Sequence, residues 1–216
     1  NMGTYFEEGY PIWYLRGYEA IGVDSEGNAI YSDAEGNPTT SPTDADRKYL
    51  GSAIPNFVYG ITINLDYKGF DLVISGNGVS GNKIYPTSYR VDRPDCNTYS
   101  YYWKNSWKEP GDEATAKFPA SKFWTTEAFS STFTLFDGSY FKIKQIQLGY
   151  TLPRELTRKI SVERLRLFLS LDNYITFSKY IGLDPETATT GGNAAGIDMG
   201  VYPTSKSLIF GVNLEF

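Results

Sequence analysis

The segment from Asn56 to Tyr67, with the sequence NFVYGITINLDY, decides the fold. Apolar or aromatic residues occupy every second position from Phe57 onward, and the positions between them are polar or small apart from Val58. This period of two predicts a β-strand with one apolar face. Ten residue steps tilted by about 40° rise roughly 25 Å, which matches the apolar band of an outer-membrane barrel. The aromatic residues at both ends match its girdles.

Five further segments show strand patterns of differing quality. The turn Asp66–Gly69 predicts a tight hairpin back into the next strand. A change of phase near Lys144 and Gln145 predicts a β-bulge. The segment Tyr10–Ile21 has the weakest alternation of the set. The predicted strands beyond the first are Tyr10–Ile21, Phe70–Ser75, Tyr140–Leu152, Leu165–Asp172 and Ser207–Phe216.

The connections between these strands alternate between short and long. Asp66–Gly69 and Pro153–Glu163 are short, and the second has the composition of a helical turn. The long connections are rich in Gly, Asn, Asp, Thr and Tyr; they are Val23–Ile54, Gly76–Ser139 and Ser178–Thr204. Outer-membrane barrels have short periplasmic turns and long extracellular loops, so we expect the long connections to be extracellular.

Composition supports an all-β class and excludes several functions. The chain has 18 tyrosines, 21 glycines and 11 prolines, and it has no apolar run long enough for a transmembrane helix. Its net charge of -5 without a basic stripe argues against a nucleic-acid partner. It has no histidine, which argues against triad catalysis or a zinc site. Its one cysteine, Cys96, cannot form an internal disulfide.

Two acidic motifs stand nine residues apart. Asp24–Asn28 reads DSEGN and Asp33–Asn37 reads DAEGN. Carboxylates and glycines of this kind can bind calcium, but their spacing does not match an EF-hand loop. Acidic glycine turns are common hairpin corners, and we favour that interpretation.

Aromatic residues concentrate in the second long connection, where Tyr99–Trp107 reads YSYYWKNSW. Rings on an extracellular surface could stack on sugars or contact a peptide. The alternative, which we favour, is that they form the loop's own small core. The candidate substrate-binding residues are Tyr101, Tyr102, Trp103, Trp107 and Trp124.

Carboxylates in the last long connection raise the question of hydrolysis. Asp184, Glu186 and Asp198 lie there, but nothing nearby supplies a nucleophile or an oxyanion site. We therefore predict no enzymatic activity and assign no catalytic residue, metal ligand or cofactor.

Several motifs follow one another along nearly the whole chain: GSAIPNFVYG at 51–60, LDYKGFDL at 65–72, DGSYFKIK at 137–144, QLGYTLP at 147–153, DNY at 172–174, GLDPE at 182–186, YP at 202–203 and the terminal Phe216. In this order they resemble the C-terminal end of the SusC/RagA family of TonB-dependent outer-membrane transporters of Bacteroidota. The start, Glu8–Pro11, resembles that family more loosely.

The resemblance implies a barrel of about 22 strands around a plug domain, closed by a SusD-like surface lipoprotein. It implies import of oligosaccharides, or of peptides in some members, driven by TonB. We accordingly expect residues 1–216 to form the C-terminal part of the barrel, contributing about six antiparallel strands. The plug and N-terminal strands are not in these residues, and the expected surroundings are the outer membrane of a Gram-negative bacterium, with its lipid.

A soluble, secreted β-sandwich that binds glycans is the alternative. It would bury the apolar rows against a second sheet. Two features count against it: the rows end in aromatic residues at membrane height, and the opposite faces carry charges. Six strands alone would also leave two unpaired edges in lipid, so further strands must complete the barrel.

Overall fold

The computed structural model describes residues 2–87, 97–187 and 194–216, without the side chain of Ile160. Cys96 lies outside the described residues. The strands are β1 Gly3–Tyr5, β2 Tyr14–Gly17, β3 Glu19–Val23, β4 Ala29–Ser32, β5 Pro38–Thr39, β6 Lys48–Ser52, β7 Phe57–Tyr67, β8 Phe70–Ser80, β9 Lys83–Pro86, β10 Phe136–Asp137, β11 Tyr140–Thr151, β12 Arg164–Ser178, β13 Ile197–Asp198 and β14 Ser207–Glu215. The helices are α1 Ser100–Asn105, α2 Thr126–Phe129 and α3 Arg154–Thr157, with 3₁₀ turns at Asp44–Asp46, Asp112–Ala114, Ser121–Phe123, Thr132–Thr134 and Arg158–Ile160.

The chain divides into two compact units. The sheet unit comprises Phe57–Ser80, Ser139–Ser178 and Pro203–Phe216. The loop unit comprises Asn1–Asn56, Gly81–Gly138 and Lys179–Tyr202.

The sheet unit is one antiparallel sheet with the strand order β14-β12-β11-β8-β7. These strands run in sequence order from one edge to the other, as in an up-and-down barrel wall. They correspond to five of the six predicted strands, and the all-β antiparallel prediction is confirmed for them. Phe216 directly follows the edge strand β14.

The predicted tight hairpin is confirmed between β7 and β8. Tyr67 pairs with Phe70, which leaves Lys68 and Gly69 as a two-residue loop. Both have positive φ, 48° and 86°, as a type I′ turn requires. A Cβ at Gly69 would lie 2.9 Å from the carbonyl oxygen of Thr151, so space as well as backbone angle favours glycine.

The predicted β-bulge is confirmed in β11. The register with both neighbouring strands shifts between Ile143 and Gln145. On the facing part of β12, Asn173 has a φ of 60°. The bulge explains why the apolar positions change from odd to even along β11, because one extra residue restores the same face.

The prediction of a barrel strand at Tyr10–Ile21 is wrong. Trp13, with a φ of 56°, interrupts the extended backbone, and the segment divides between β2 and β3. These belong to two separate three-stranded sheets, β1-β2-β6 and β3-β4-β5. Adjacent side chains Tyr14 and Leu15 are both buried, so β2 has no face free for lipid.

The long connections carry more structure than the sequence predicts. Strand β8 continues to Ser80, so the second connection begins at Gly81 rather than Gly76. A third small sheet, β10-β9-β13, joins parts of the second and third connections. All three long connections therefore contribute to one compact unit.

The loop unit has its own hydrophobic core. One cluster of buried residues is built from Tyr18, Val23, Ala29, Tyr31, Tyr102, Phe118, Ala128 and Phe133. A second contains Met2, Leu15, Tyr85 and Phe129. The loop-core interpretation of the aromatic residues is thus confirmed.

Candidate functional site

The five-stranded sheet has one continuous apolar face. Period-two alternation and the strand register place the apolar rows of all five strands side by side on it. Most of these side chains are exposed although they are large and apolar, including Ile63, Leu148 and Phe210. An exposed apolar surface of this extent marks a membrane or protein contact. Its rows are Phe57, Tyr59, Ile61, Ile63, Leu65 and Tyr67; Phe70, Leu72 and Ile74; Phe141, Ile143, Ile146, Leu148 and Tyr150; Leu165, Leu167, Leu169, Leu171, Ile175 and Phe177; and Leu208, Phe210, Val212 and Leu214.

A row of aromatic rings crosses this apolar face at the end away from the hairpin turn. The rings of Phe57, Tyr59, Phe141 and Phe177 follow one another at centroid distances of 5.6, 5.8 and 6.4 Å, and the planes of consecutive rings differ by 19°, 6° and 20°. The rings of Tyr59 and Phe141 lie over glycines of β8, since added Cβ atoms at Gly78 and Gly76 would come within 2.6 and 2.9 Å of them. This arrangement matches the aromatic girdle expected at one membrane boundary.

The opposite face of the sheet is polar. Its side chains include carboxylates, amides, hydroxyls and guanidinium groups, as an aqueous lumen favours. Near the centre of β12, Ser170 donates to the Asp172 carboxylate at 2.7 Å. The amide of Gln145 on β11 donates to the Ser170 hydroxyl oxygen at 3.4 Å. These contacts connect β11 and β12 on the polar side.

An ion pair spans three strands on the polar face. The guanidinium of Arg166 on β12 donates to both carboxylate oxygens of Asp71 on β8, with the Nε contact at 2.8 Å. Gly149 of β11 lies between them, and an added Cβ there would come within 2.5 Å of both partners. The side chains are only 13% and 22% exposed, so the pair is partly desolvated. Glycine at this position therefore makes the ion pair possible.

A concavity of about 580 Å³ adjoins the ion pair near the hairpin end of the sheet. Its lining combines residues of the β7–β8 hairpin with polar and charged residues of β11 and β12, including Gln147, Arg164 and Arg166. The sequence alone singled out none of these residues. The alternation of β12 shows that Arg166 lies opposite the leucine row, but its partner depends on the register of three strands.

The predicted substrate-binding aromatics belong to the loop unit and differ in exposure. Tyr102 is 3% exposed and lies in the first core cluster, where burial raises the pKa of its hydroxyl. Tyr101, Trp107 and Trp124 pack against the same cluster and are half-buried. Trp103 is 61% exposed, with the Lys108 ammonium 4.5 Å from its ring centroid. Trp103 is thus the member of the set whose ring is available to a ligand.

The acidic motifs form turns, which confirms the favoured interpretation. The Asp24 carboxylate accepts from the backbone amides of Glu26 and Asn28, and the Asp33 carboxylate accepts from that of Asn37. In both motifs the glycine has a φ near 90°. Among the described residues no group of three or more Cys, Asp or Glu side chains is arranged to hold a metal ion.

The carboxylates of the third connection serve structural contacts. Asp198 is buried and accepts from the Tyr180 hydroxyl at 2.6 Å and from the Gly200 amide at 2.8 Å. Asp184 is also buried and accepts from the Glu186 amide at 3.0 Å. Burial, followed by the hydrogen bond to Asp198, raises the pKa of Tyr180. These geometries stabilise the third connection.

In the part of the chain that the structure describes, no helix has the length and apolar character needed to cross a bilayer.

The chain is similar to curated TonB-dependent receptors. TonB-dependent receptor P3 of Formosa agariphila is 28% identical over 231 residues, which covers 97% of this chain and 22% of that protein. TonB-dependent receptor SusC of Bacteroides thetaiotaomicron is 24% identical over 206 residues, covering 94% of this chain and 19% of that protein. The chain thus spans about a fifth of the length of these relatives. No protein-family model matches the chain.

Solved structures agree in fold. The RagAB peptide importer in its open-open state matches with a TM-score of 0.80 and 24% identity, over 100% of this chain and 24% of that chain. The closed-closed state of the same importer also matches with a TM-score of 0.80. The sheet unit has the fold of a wall segment from a TonB-dependent receptor barrel. The chain is thus similar in sequence to TonB-dependent receptors, SusC among them, and in fold to part of the RagAB importer.

Proposed function

We propose that the chain is the C-terminal part of a TonB-dependent transporter in the outer membrane of a Gram-negative bacterium of the Bacteroidota type. In this proposal the apolar face of the sheet unit contacts lipid and the polar face lines the lumen. The remaining strands and the plug come from the rest of the polypeptide. The observation that carries the proposal is the exposed apolar face formed by five adjacent strands. The opposite face of the same sheet is polar and holds a partly desolvated ion pair.

The transport is noncovalent and needs no catalytic residue. The proposed cargo is an oligosaccharide or a peptide, delivered with a SusD-like surface lipoprotein and released inward by TonB acting on the plug. The curated relative SusC and the RagAB peptide importer support this class of transporter. In the loop unit, Trp103 is the candidate contact for cargo, while Tyr101, Tyr102, Trp107 and Trp124 hold the surface that presents it.

The orientation of the sheet is tested by single cysteines in the intact receptor, with Cys96 replaced by serine. Cysteines replacing Ile63 and Leu169 sample the apolar face, and cysteines replacing Asn64 and Ser170 sample the polar face. A fluorophore at the first pair is expected to be quenched by brominated lipid, and one at the second pair by iodide. A folded monomer in plain buffer, with the Ile63 and Leu169 positions shielded from both brominated lipid and iodide, would instead support the soluble glycan-binding sandwich.

Transport is tested in the native host by deleting the receptor and supplying single oligosaccharide or peptide sources. Loss of growth on one source, restored by the intact receptor, is the expected result. Copurification of a surface lipoprotein with the receptor tests the partner. Unchanged growth on every source, together with no copurifying lipoprotein, would contradict the transport proposal.

A further inference from the structure

The segment that was wrongly predicted as a barrel strand builds an exposed aromatic cluster. Strands β1, β2 and β6 place Tyr5, Tyr14 and Tyr49 on one face of a small sheet, where Tyr5 pairs directly with Tyr14. Tyr10 comes from the connection between β1 and β2 and folds back through a turn in which its amide donates to the Glu7 carbonyl. The rings of Tyr10, Tyr14 and Tyr49 lie 4.9 to 5.5 Å apart, all in mutual contact.

One tyrosine of the cluster is buried and two are exposed. Tyr14 is buried, whereas Tyr10 and Tyr49 are 46% and 43% exposed. The buried ring is fixed by a hydrogen bond of 2.7 Å from the Tyr14 hydroxyl to the Glu7 carboxylate. Two partly exposed tyrosine rings therefore pack against a buried, hydrogen-bonded one.

One carboxylate contacts the aromatic cluster, and a second follows it in the sequence. The Glu7 carboxylate is held at the cluster by Tyr14, and the adjacent Glu8 is exposed. The faces of tyrosine rings carry negative electrostatic potential, and carboxylates add full negative charge. The ring faces and the carboxylates would both attract a cation, and both would repel an anionic ligand.

The cluster already binds one cation of its own. The guanidinium carbon of Arg16, on the same face of the sheet, lies 5.7 Å from the centroid of the Tyr5 ring. Arg16 contacts the Tyr5 ring and lies opposite Tyr49 in the register of β2 and β6. The exposed Tyr10 and Tyr49 rings pack against Tyr14, whose hydroxyl holds the Glu7 carboxylate. A cation from outside the chain is therefore able to make a second cation–π contact at this cluster.

We propose that Tyr10, Tyr49 and Glu7 form a subsite for a cationic side chain, the ammonium or guanidinium of a peptide cargo. The inference rests on the proposed transport function and narrows its cargo to peptides that carry lysine or arginine. The backbone at Trp13, with its positive φ, holds the connection that presents Tyr10.

The test uses the intact receptor in detergent and three blocked pentapeptides, Gly-Gly-Xaa-Gly-Gly, in which Xaa is lysine, norleucine or glutamate. Isothermal titration is expected to show the lysine peptide binding about tenfold more tightly than norleucine, which has the same chain length without the charge. Its affinity should fall as salt rises from about 50 to 500 mM, because salt screens exposed charges. The glutamate peptide should bind most weakly.

Three variants locate the subsite. The double variant Tyr10→Leu/Tyr49→Leu and the single variant Glu7→Gln are each expected to lower affinity for the lysine peptide about fivefold to tenfold. Tyr202→Leu, which removes an exposed tyrosine elsewhere in the loop unit, is the matched control and should bind as the unaltered receptor does. Thermal melting of each variant checks that the fold is retained.

Equal affinity for the lysine and norleucine peptides would overturn the proposal, as would unchanged binding by the Tyr10→Leu/Tyr49→Leu variant. Salt-independent binding of a neutral trisaccharide that Tyr10→Leu/Tyr49→Leu abolishes would also overturn it, in favour of sugar stacking on the same rings. These outcomes leave the transport proposal intact, because that proposal fails only when host growth and sheet orientation contradict it.

Discussion

Arg166 and Asp71 form an ion pair across the strand that separates them, through the space left by the missing side chain of Gly149. The pair joins β8 to β12 on the polar face, so three strands of the wall are linked by side chains as well as by backbone hydrogen bonds. Phe168 continues the link, since its ring lies over Gly211 of β14 and 5.1 Å from the Arg166 guanidinium carbon. Glycines on two strands thus create room for large side chains on the polar face.

Gly149→Ala should separate the ion pair, because the new methyl group would fall within 2.5 Å of both partners. We expect the thermal unfolding temperature of the receptor in detergent to drop, because the free energy of unfolding should fall by about 1 to 3 kcal/mol. Gly60→Ala on β7 is the matched control, since its Cβ would meet nothing closer than 3.5 Å. Equal melting of the two variants would show that the ion pair contributes nothing to stability.

The two faces of β11 should respond in opposite ways to a charge. Leu148→Arg places a guanidinium on the apolar face among Leu72 and Leu169, which pair with it. In lipid the buried charge should lower the stability of the folded receptor by about 2 to 4 kcal/mol. The amount of folded receptor should fall accordingly, which heat-dependent electrophoretic mobility measures. Gln147→Arg, one residue away on the polar face, should cost about 1 kcal/mol or less. If Leu148→Arg assembled as well as Gln147→Arg, the apolar face would not contact lipid.

Much of the sheet unit can be predicted from the sequence because its strands are long and their two faces differ in polarity. The alternation of β7 and the change of phase in β11 predict a strand and a bulge without any tertiary information. The turn at Lys68 and Gly69 is equally local, since a positive φ favours glycine there. The Arg166 partner could not be predicted, because it depends on which residues of β8, β11 and β12 share a register.

The structure of the loop unit is much harder to predict from the sequence, because its strands and helices are short and bury residues on both sides. At Tyr14 and Leu15 consecutive side chains are buried, so the segment loses the alternation that would identify a strand. On α1, a helix of six residues, sequence alone does not decide which ring of Tyr101, Tyr102 and Trp103 faces the core. Only the structure therefore distinguishes the rings that pack in the core, such as Tyr102, from the exposed ring of Trp103.

Tyr102 and Trp103 should separate stability from ligand binding. Tyr102→Ala removes a ring that packs 4.9 Å from Phe118 and should cost about 3 to 5 kcal/mol of loop-unit stability. Trp103→Ala removes an exposed ring and should change stability by about 0.5 kcal/mol or less, while weakening cargo uptake. Hydrogen exchange in residues 118–133 measures the first effect, and growth on the limiting cargo measures the second. Uptake that is unchanged in Trp103→Ala would remove this ring from the candidate site.

Asp46 should make the loop unit sensitive to acid. The backbone amide of Thr43, then its hydroxyl, donate to the Asp46 carboxylate, at 2.6 and 2.9 Å, and the Ala34 amide donates to the other oxygen at 2.9 Å. These contacts lower the pKa of Asp46 below its ordinary value of about 4. A lowered pKa stabilises the folded state above the unfolded pKa, and that stabilisation is lost as pH falls through the folded pKa. Protection of the Ala34 and Thr43 amides from hydrogen exchange should therefore decline below about pH 4.

The variant Asp46→Asn should have lower protection at neutral pH and lose this acid dependence, because an amide cannot change charge in this range. Asp44→Asn is the control, since Asp44 lies two residues away, has a side chain that is 90% exposed and pairs with Arg47 on the surface. It should follow the pH profile of the unaltered receptor. A profile of Asp46→Asn that matched the unaltered receptor would mean that another carboxylate controls the acid response, and Asp24, whose pKa is also lowered, would be the next to replace.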